Sequence, residues 1–200
     1  MRGAPTSLRR GESGRRSQST CRSLAACEGA LEAGATELLV RDAHGTGRNI
    51  HAEMLPREAS LVRGWSGHPH CMVQGVDGTF TAALLVGWHS AARLGGNPLA
   101  HTLSSRRLHA VRVNGAIAAE FHLHAWACMS EGVPVAFVSG DEGLCAEVER
   151  FDEAIRAVGV SRGQGASTIA MHPARARDAI RLGVREALEG DLGRIGLALP

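Results

Sequence analysis

Gly132-Val133-Pro134-Val135-Ala136-Phe137-Val138-Ser139-Gly140-Asp141-Glu142 is the stretch on which the fold turns. The run from Pro134 to Val138 is apolar and short, and Gly and Pro bound it, which predicts a buried strand. Gly132, with Pro134 just beyond it, closes an expected helix over residues 120–131. On the other side, residues 142–158 read as a second helix, entered through Ser139-Gly140-Asp141. Helix, buried strand and helix in succession is the signature of parallel strands joined by crossovers.

The same reading extends in both directions. Residues 19–33 predict a helix, with Leu24, Cys27, Ala30 and Leu31 at three- and four-residue spacings and Gly34 at the position after its end. Glu37-Leu38-Leu39-Val40-Arg41 reads as a short buried strand leading into the turn-rich Asp42-Ala43-His44-Gly45-Thr46-Gly47. Thr81-Ala82-Ala83-Leu84-Leu85-Val86 reads as another, followed by Gly87-Trp88-His89. Asn114-Gly115 between two short apolar segments predicts a hairpin, because a type I′ turn needs positive φ at both positions. Pro173 at a first helical position opens a last helix through residue 188. The prediction is an α/β, three-layer sandwich with a mostly parallel sheet and one hairpin. Its first strong element is a helix, so the strand that ordinarily precedes it is expected to be missing. The apolar end, Ile195 to Pro200, is expected to be cut short as well. Residues 1–20 are expected to form a disordered Arg/Ser-rich tail and residues 21–200 one incomplete domain.

Composition narrows the function. The chain has 200 residues, 44% of them hydrophobic and 21% charged, which fits one globular core and excludes a disordered polymer. No apolar run approaches the roughly 18 residues of a membrane-spanning helix. Aromatic residues make up 4% and Tyr is absent, which argues against a stacking platform for single-stranded nucleic acid. The formal charge of +2 is uneven: residues 1–22 hold six Arg against Glu12, and the rest of the chain is mildly acidic. No nucleic-acid partner and no membrane are therefore expected. The five cysteines are odd in number and form no C-x-x-C pair, which predicts reduced thiols and a cytoplasmic protein. The basic N-terminus lacks an apolar segment behind it, so it is not a secretory signal, although its composition is also that of an organellar transit peptide.

Ten His residues are the informative anomaly. His44 and His89 follow directly on expected strand ends, and loops at the carboxyl ends of parallel strands share one crevice. Two imidazoles there can converge on one metal ion, and a carboxylate would complete a zinc site with a position left for water. Glu120, opening the helix after the hairpin, is the natural third member. His101, in a loop rich in Gly and Pro, is a candidate general acid or base. Each of these residues taken singly also fits a solvated loop or a satisfied core position. His124 shares a helix face with Glu120 as a ligand or a supporting residue, but a surface pair of His122 and His124 is the preferred reading. His68 and His70 read as loop residues. Gly163-Gln164-Gly165 lacks the spacing of a dinucleotide site, and Gly45-Thr46-Gly47 lacks a Walker lysine.

Together these motifs resemble the DppA-like, zinc-dependent D-aminopeptidase family. The resemblance runs from Gly29-Ala30-Leu31-Glu32-Ala33-Gly34 through Val40-Arg41-Asp42-Ala43-His44-Gly45, Met72-Val73-Gln74-Gly75, Val86-Gly87-Trp88-His89 and the His101 loop. It continues through Asn114-Gly115 with Glu120, Val138-Ser139-Gly140-Asp141 and Met171-His172-Pro173, covering about residues 24–190. It implies a metal-dependent aminopeptidase that releases N-terminal D-amino acids from short peptides, in a cytoplasmic homo-oligomer. His44, His89 and Glu120 are implied as metal ligands and His101 as the catalytic residue. The family holds two zinc ions with the help of an Asp-x-Glu pair. No Asp precedes Cys21 here, so one ion or none is expected, and the alternative is an inactive relative acting as a metal-binding or scaffold protein.

Overall fold

The computed structural model describes residues 7–95, 97–196 and 198–200, with side chains from residue 18 onward. Its centre is the strand β6 (Val135–Asp141), buried at all seven positions. β6 lies between β3 (Ala83–Trp88) and β7 (Arg156–Gln164), both parallel to it, and β8 (Ser167–Ala170) closes the order β3-β6-β7-β8 by an antiparallel pairing with β7. The fold is α/β with a mostly parallel sheet. Among the described residues, β1 (Leu38–Arg41) pairs in parallel with β2 (Ala59–Val62), in a two-stranded sheet of its own.

Helices cover both faces of β6. On one side, Phe121, Ala125, Cys128 and Met129 of α2 (Glu120–Ser130) pack with Leu144 and Val148 of α3 (Glu142–Phe151) against Ala136 and Val138. On the other, Ala25, Ala26 and Ala30 of α1 (Ser7–Glu32) join Ala176, Ile180 and Val184 of α4 (Pro173–Glu189) around Phe137. Phe137 is fully buried, and such a ring contributes about 1.5–3 kcal/mol through the area it removes from water. Two glycines set the spacing of this layer. A Cβ on Gly29 would lie 2.3 Å from the carbonyl oxygen of Arg181, and one on Gly183 would lie 2.8 Å from the ring of Phe137.

The local signals that punctuate the sequence act as expected. At Gly34 (φ +93°), the Ala35 amide donates to the Ala30 carbonyl and the Gly34 amide to the Leu31 carbonyl, a Schellman cap on α1. Asn114 and Gly115 both have positive φ and join β4 (Arg112–Val113) to β5 (Ala116–Ile117). Residues 1–6 of the expected tail lie outside the described residues, and the helix expected from residue 19 is already helical from Ser7.

One element changes identity. The helix expected over residues 142–158 ends at Phe151, and a strand begins at Arg156. Asp152 causes the break. Its carboxylate accepts from the Ala154 and Gly196 amides, closing an Asx-type turn that the helix cannot continue through. Beyond it, Ala157 faces one core and Val158 and Val160 the other, the alternation of a strand. β2 and β8 were not legible as strands; all four residues of β8 are exposed and carry no apolar face.

Candidate metal centre

The site lies where β3 delivers its last residues to the surface. The ladder between β3 and β6 shifts register between Val86 and Trp88, with Gly87 at φ +81°. Such a bulge re-aims the residues that follow it. It is accommodated by Gly140, where a Cβ would meet the Trp88 carbonyl oxygen at 2.5 Å. The Ser139 hydroxyl accepts the Gly87 amide at 3.1 Å. Asp141 then fixes what comes after. Its buried carboxylate accepts from the Ser90 amide (2.8 Å), the Ser90 hydroxyl, the Asn97 side chain (3.1 Å) and the Leu144 amide (2.9 Å). Burial alone would raise the Asp141 pKa, but these donors outweigh it and hold the carboxyl below its ordinary value. His89, between Trp88 and Ser90, is thereby placed from both sides.

Three side chains converge there. His89 Nε2 stands 3.7 Å from one oxygen of Glu120 and His101 Nε2 stands 3.7 Å from the other. Their ligand atoms all lie within 4.8 Å of one another, the one such cluster of His, Cys, Asp and Glu among the described residues. The two imidazole rings stack with centroids 4.3 Å apart. Each turns its Nδ1 to a backbone carbonyl, His89 to that of Ser90 at 3.1 Å and His101 to that of Leu99 at 2.8 Å. A carbonyl only accepts, so both Nδ1 atoms carry a proton, and Nε2 is the ring atom that each imidazole turns toward Glu120. This is the outer-shell arrangement by which metal-binding imidazoles are usually oriented. Glu120 is buried (7% exposed), and one oxygen accepts the Leu103 amide at 2.8 Å. His89 Nε2 and the Glu120 carboxylate are donors of the kind that hold zinc, and His101 Nε2 lies close enough to serve either as a third ligand or as a base beside the ion.

The loop bearing His101 is anchored on its far side by Thr102, fully buried, whose hydroxyl donates to the Ala118 carbonyl at 3.0 Å. His124 and His122 are not a surface pair. His124 is buried beneath the site, donating from Nδ1 to the Glu120 carbonyl at 2.7 Å with its ring edge-on to Trp88. His122 Nδ1 accepts the Ala119 amide at 3.0 Å, capping the first turn of α2. Burial lowers the pKa of both rings. His44 stands apart from the cluster, exposed on the loop after β1. The structure therefore groups His101, expected as a catalytic residue, with His89 and Glu120. Sequence reasoning missed Asp141 as the residue that positions His89; its sign is a strand-end acid that also caps a helix.

The profile of a family described as D-aminopeptidase matches residues 6–195 of the chain. A D-aminopeptidase from Bacillus subtilis (strain 168) is 32% identical over 151 residues, which make up 74% of this chain and 53% of the relative. Among solved structures, the chain resembles the Zn-dependent D-aminopeptidase DppA from Bacillus subtilis, described as a self-compartmentalizing protease. The TM-score is 0.80 at 27% identity, over 91% of this chain and 64% of that one. The chain thus spans about half the length of its curated relative.

Proposed function

The chain belongs to the D-aminopeptidase family, and from that premise we propose that it is a metal-dependent aminopeptidase releasing N-terminal D-amino acids from short peptides. The observation that carries this reading is the convergence of His89 Nε2, His101 Nε2 and the Glu120 carboxylate with both Nδ1 protons committed to carbonyls. His89 and Glu120 are the proposed ligands of a first zinc ion, and His44, on the loop after β1 and outside that cluster, is the proposed ligand of a second. When bound, zinc supplies a Lewis acid for the scissile carbonyl and lowers the pKa of water. His101, with its free Nε2 in the same cleft, takes the proton of the attacking water and returns it to the leaving amine. The Leu103 amide and the His124 contact hold Glu120 and its helix turn in place while this occurs.

Purified protein supplied with zinc is expected to hydrolyse D-Ala-D-Ala, and His89→Ala to lose both zinc and turnover. Wild-type turnover no greater than that of the variant overturns the reading. A second reading is favoured by the cluster bringing together three ligand residues among the described ones: a zinc-binding scaffold without chemistry. It predicts about one zinc per chain and no hydrolysis, so metal content and turnover together separate the two.

We also propose a cytoplasmic homo-oligomer. All five cysteines are unpaired thiols, and the solved relative is described as self-compartmentalizing. Among the described residues, no helix is long and apolar enough to cross a membrane.

A further inference from the structure

The segment joining β3 to β4 leaves an open, solvent-facing cavity of about 540 Å³ that His101 helps to line. That volume lies within the range of small-ligand pockets. Its walls carry Arg93, Arg106, Arg107 and His109, together with His101, and no acidic residue. The guanidinium groups of Arg106 and Arg107 make no ion pair or hydrogen bond with any described residue. Arg93 is held in place differently: its Nη1 donates to His109 Nε2 at 2.9 Å, and its backbone sits at φ +75°, a conformation that non-glycine residues rarely adopt. These exposed guanidinium groups have no carboxylate partner among the described residues and line the same cavity as His101, where an anion could pair with them.

We propose that this cavity is a carboxylate-binding subsite that selects peptides carrying a negative charge one or two residues beyond the scissile bond. The inference rests on the aminopeptidase reading of the neighbouring cluster and extends it to the other end of the substrate. An extended chain advances about 3.3–3.6 Å per residue, so a peptide engaged at His101 by its first residue brings the next one or two into the cavity. Guanidinium groups suit this task because their paired N–H donors match both oxygens of a carboxylate. The charge can be the free C-terminus of a di- or tripeptide or an acidic side chain at the second position. The chemistry recognised is the same.

The test uses the zinc-loaded protein and non-cleavable D-Ala-D-Ala in which a methylene-amine unit replaces the amide. It is prepared as the free acid, as the C-terminal amide, and as the D-Ala-D-Glu amide, whose only carboxylate is in the side chain. Calorimetric titration is expected to show the free acid binding about tenfold to a hundredfold more tightly than the amide. In the Arg106→Gln/Arg107→Gln double variant the difference disappears, while the amide binds as before. Tight binding of the D-Ala-D-Glu amide assigns the site to side-chain carboxylates as well; weak binding restricts it to the terminal one. Equal binding of acid and amide to the wild type, or no binding of either, overturns the inference. With cleavable peptides the loss is expected in KM and not in kcat. Absence of hydrolysis together with a preserved preference for the acid removes the aminopeptidase reading and leaves the subsite standing.

Discussion

Two buried aspartates stand at the ends of parallel strands, Asp42 after β1 and Asp141 at the end of β6, each 2% exposed. Both accept several hydrogen bonds, but their donors differ in where they come from. Asp42 is bound by the amide and side chain of Asn49 and the Ile50 amide, all from the loop that it begins. Asp141 reaches across the sheet edge to Ser90 and Asn97 as well as capping its own helix at Leu144. The first carboxylate closes a loop on itself and leaves His44 exposed. The second ties three elements together and places His89 against Glu120 and His101. A histidine after a strand becomes a site residue when a neighbouring element fixes the backbone around it.

The contrast is broken most forcefully at Asp141. Asp141→Ala strands the Ser90 and Leu144 amides and the Ser90 hydroxyl in a buried place, with an expected loss of about 3–5 kcal/mol. Denaturant unfolding checks the loss, and zinc affinity should fall with it because His89 is released. Next in size is the metal itself. His89→Ala is expected to weaken the first zinc ion by at least about a hundredfold, since it removes a direct ligand. His44→Ala is expected to affect at most a second ion. Equilibrium dialysis against a zinc indicator distinguishes the two, and equal loss in both variants would erase the distinction drawn here.

Asp42→Ala should cost less, about 1–3 kcal/mol, because its donors lie in a loop that water can reach once opened. Zinc affinity for the first ion should stay unchanged, and hydrogen exchange should rise at residues 43–50 and not at residues 88–91. Exchange rising at both places would show that the two strand ends are coupled.

The same contrast explains which features could be read from the sequence. The β6 strand, the α2 helix, the Asn114-Gly115 turn and the Gly34 cap are governed by residues within a few positions of one another, and each formed where local chemistry put it. The helix expected over 142–158 failed for an equally physical reason. Leu144, Val148, Phe151, Ile155 and Val158 continue the three- and four-residue spacing across a strand, and one Asp152 side chain interrupts it. His89, His101 and Glu120 were legible as site residues because they sit at strand ends, loops and helix starts. Their grouping with one another, and the position of His44 outside that cluster, depend on contacts across more than ten residues of chain that no spacing encodes.

The smallest expected effect is also the most local. Burial, reinforced by the nearby Asp141 carboxylate, raises the Cys145 thiol to about 11. An unfolded chain would lose this proton nearer 9, so the raised value favours the folded state. That contribution is complete below about pH 9 and is lost as the pH rises through about 11. Asp141→Asn removes the largest cause after burial while keeping a side chain able to accept hydrogen bonds. The thiol should then titrate somewhat lower, and its alkylation under native conditions should begin at lower pH than in the wild type. Mass spectrometry of the modified peptide reads this directly. Cys128, raised to about 12 by burial alone, is the internal control and should not respond. A parallel shift at Cys128 would mean that the variant has loosened the whole core, and that Asp141 acts by general stability instead of by its charge at the strand end.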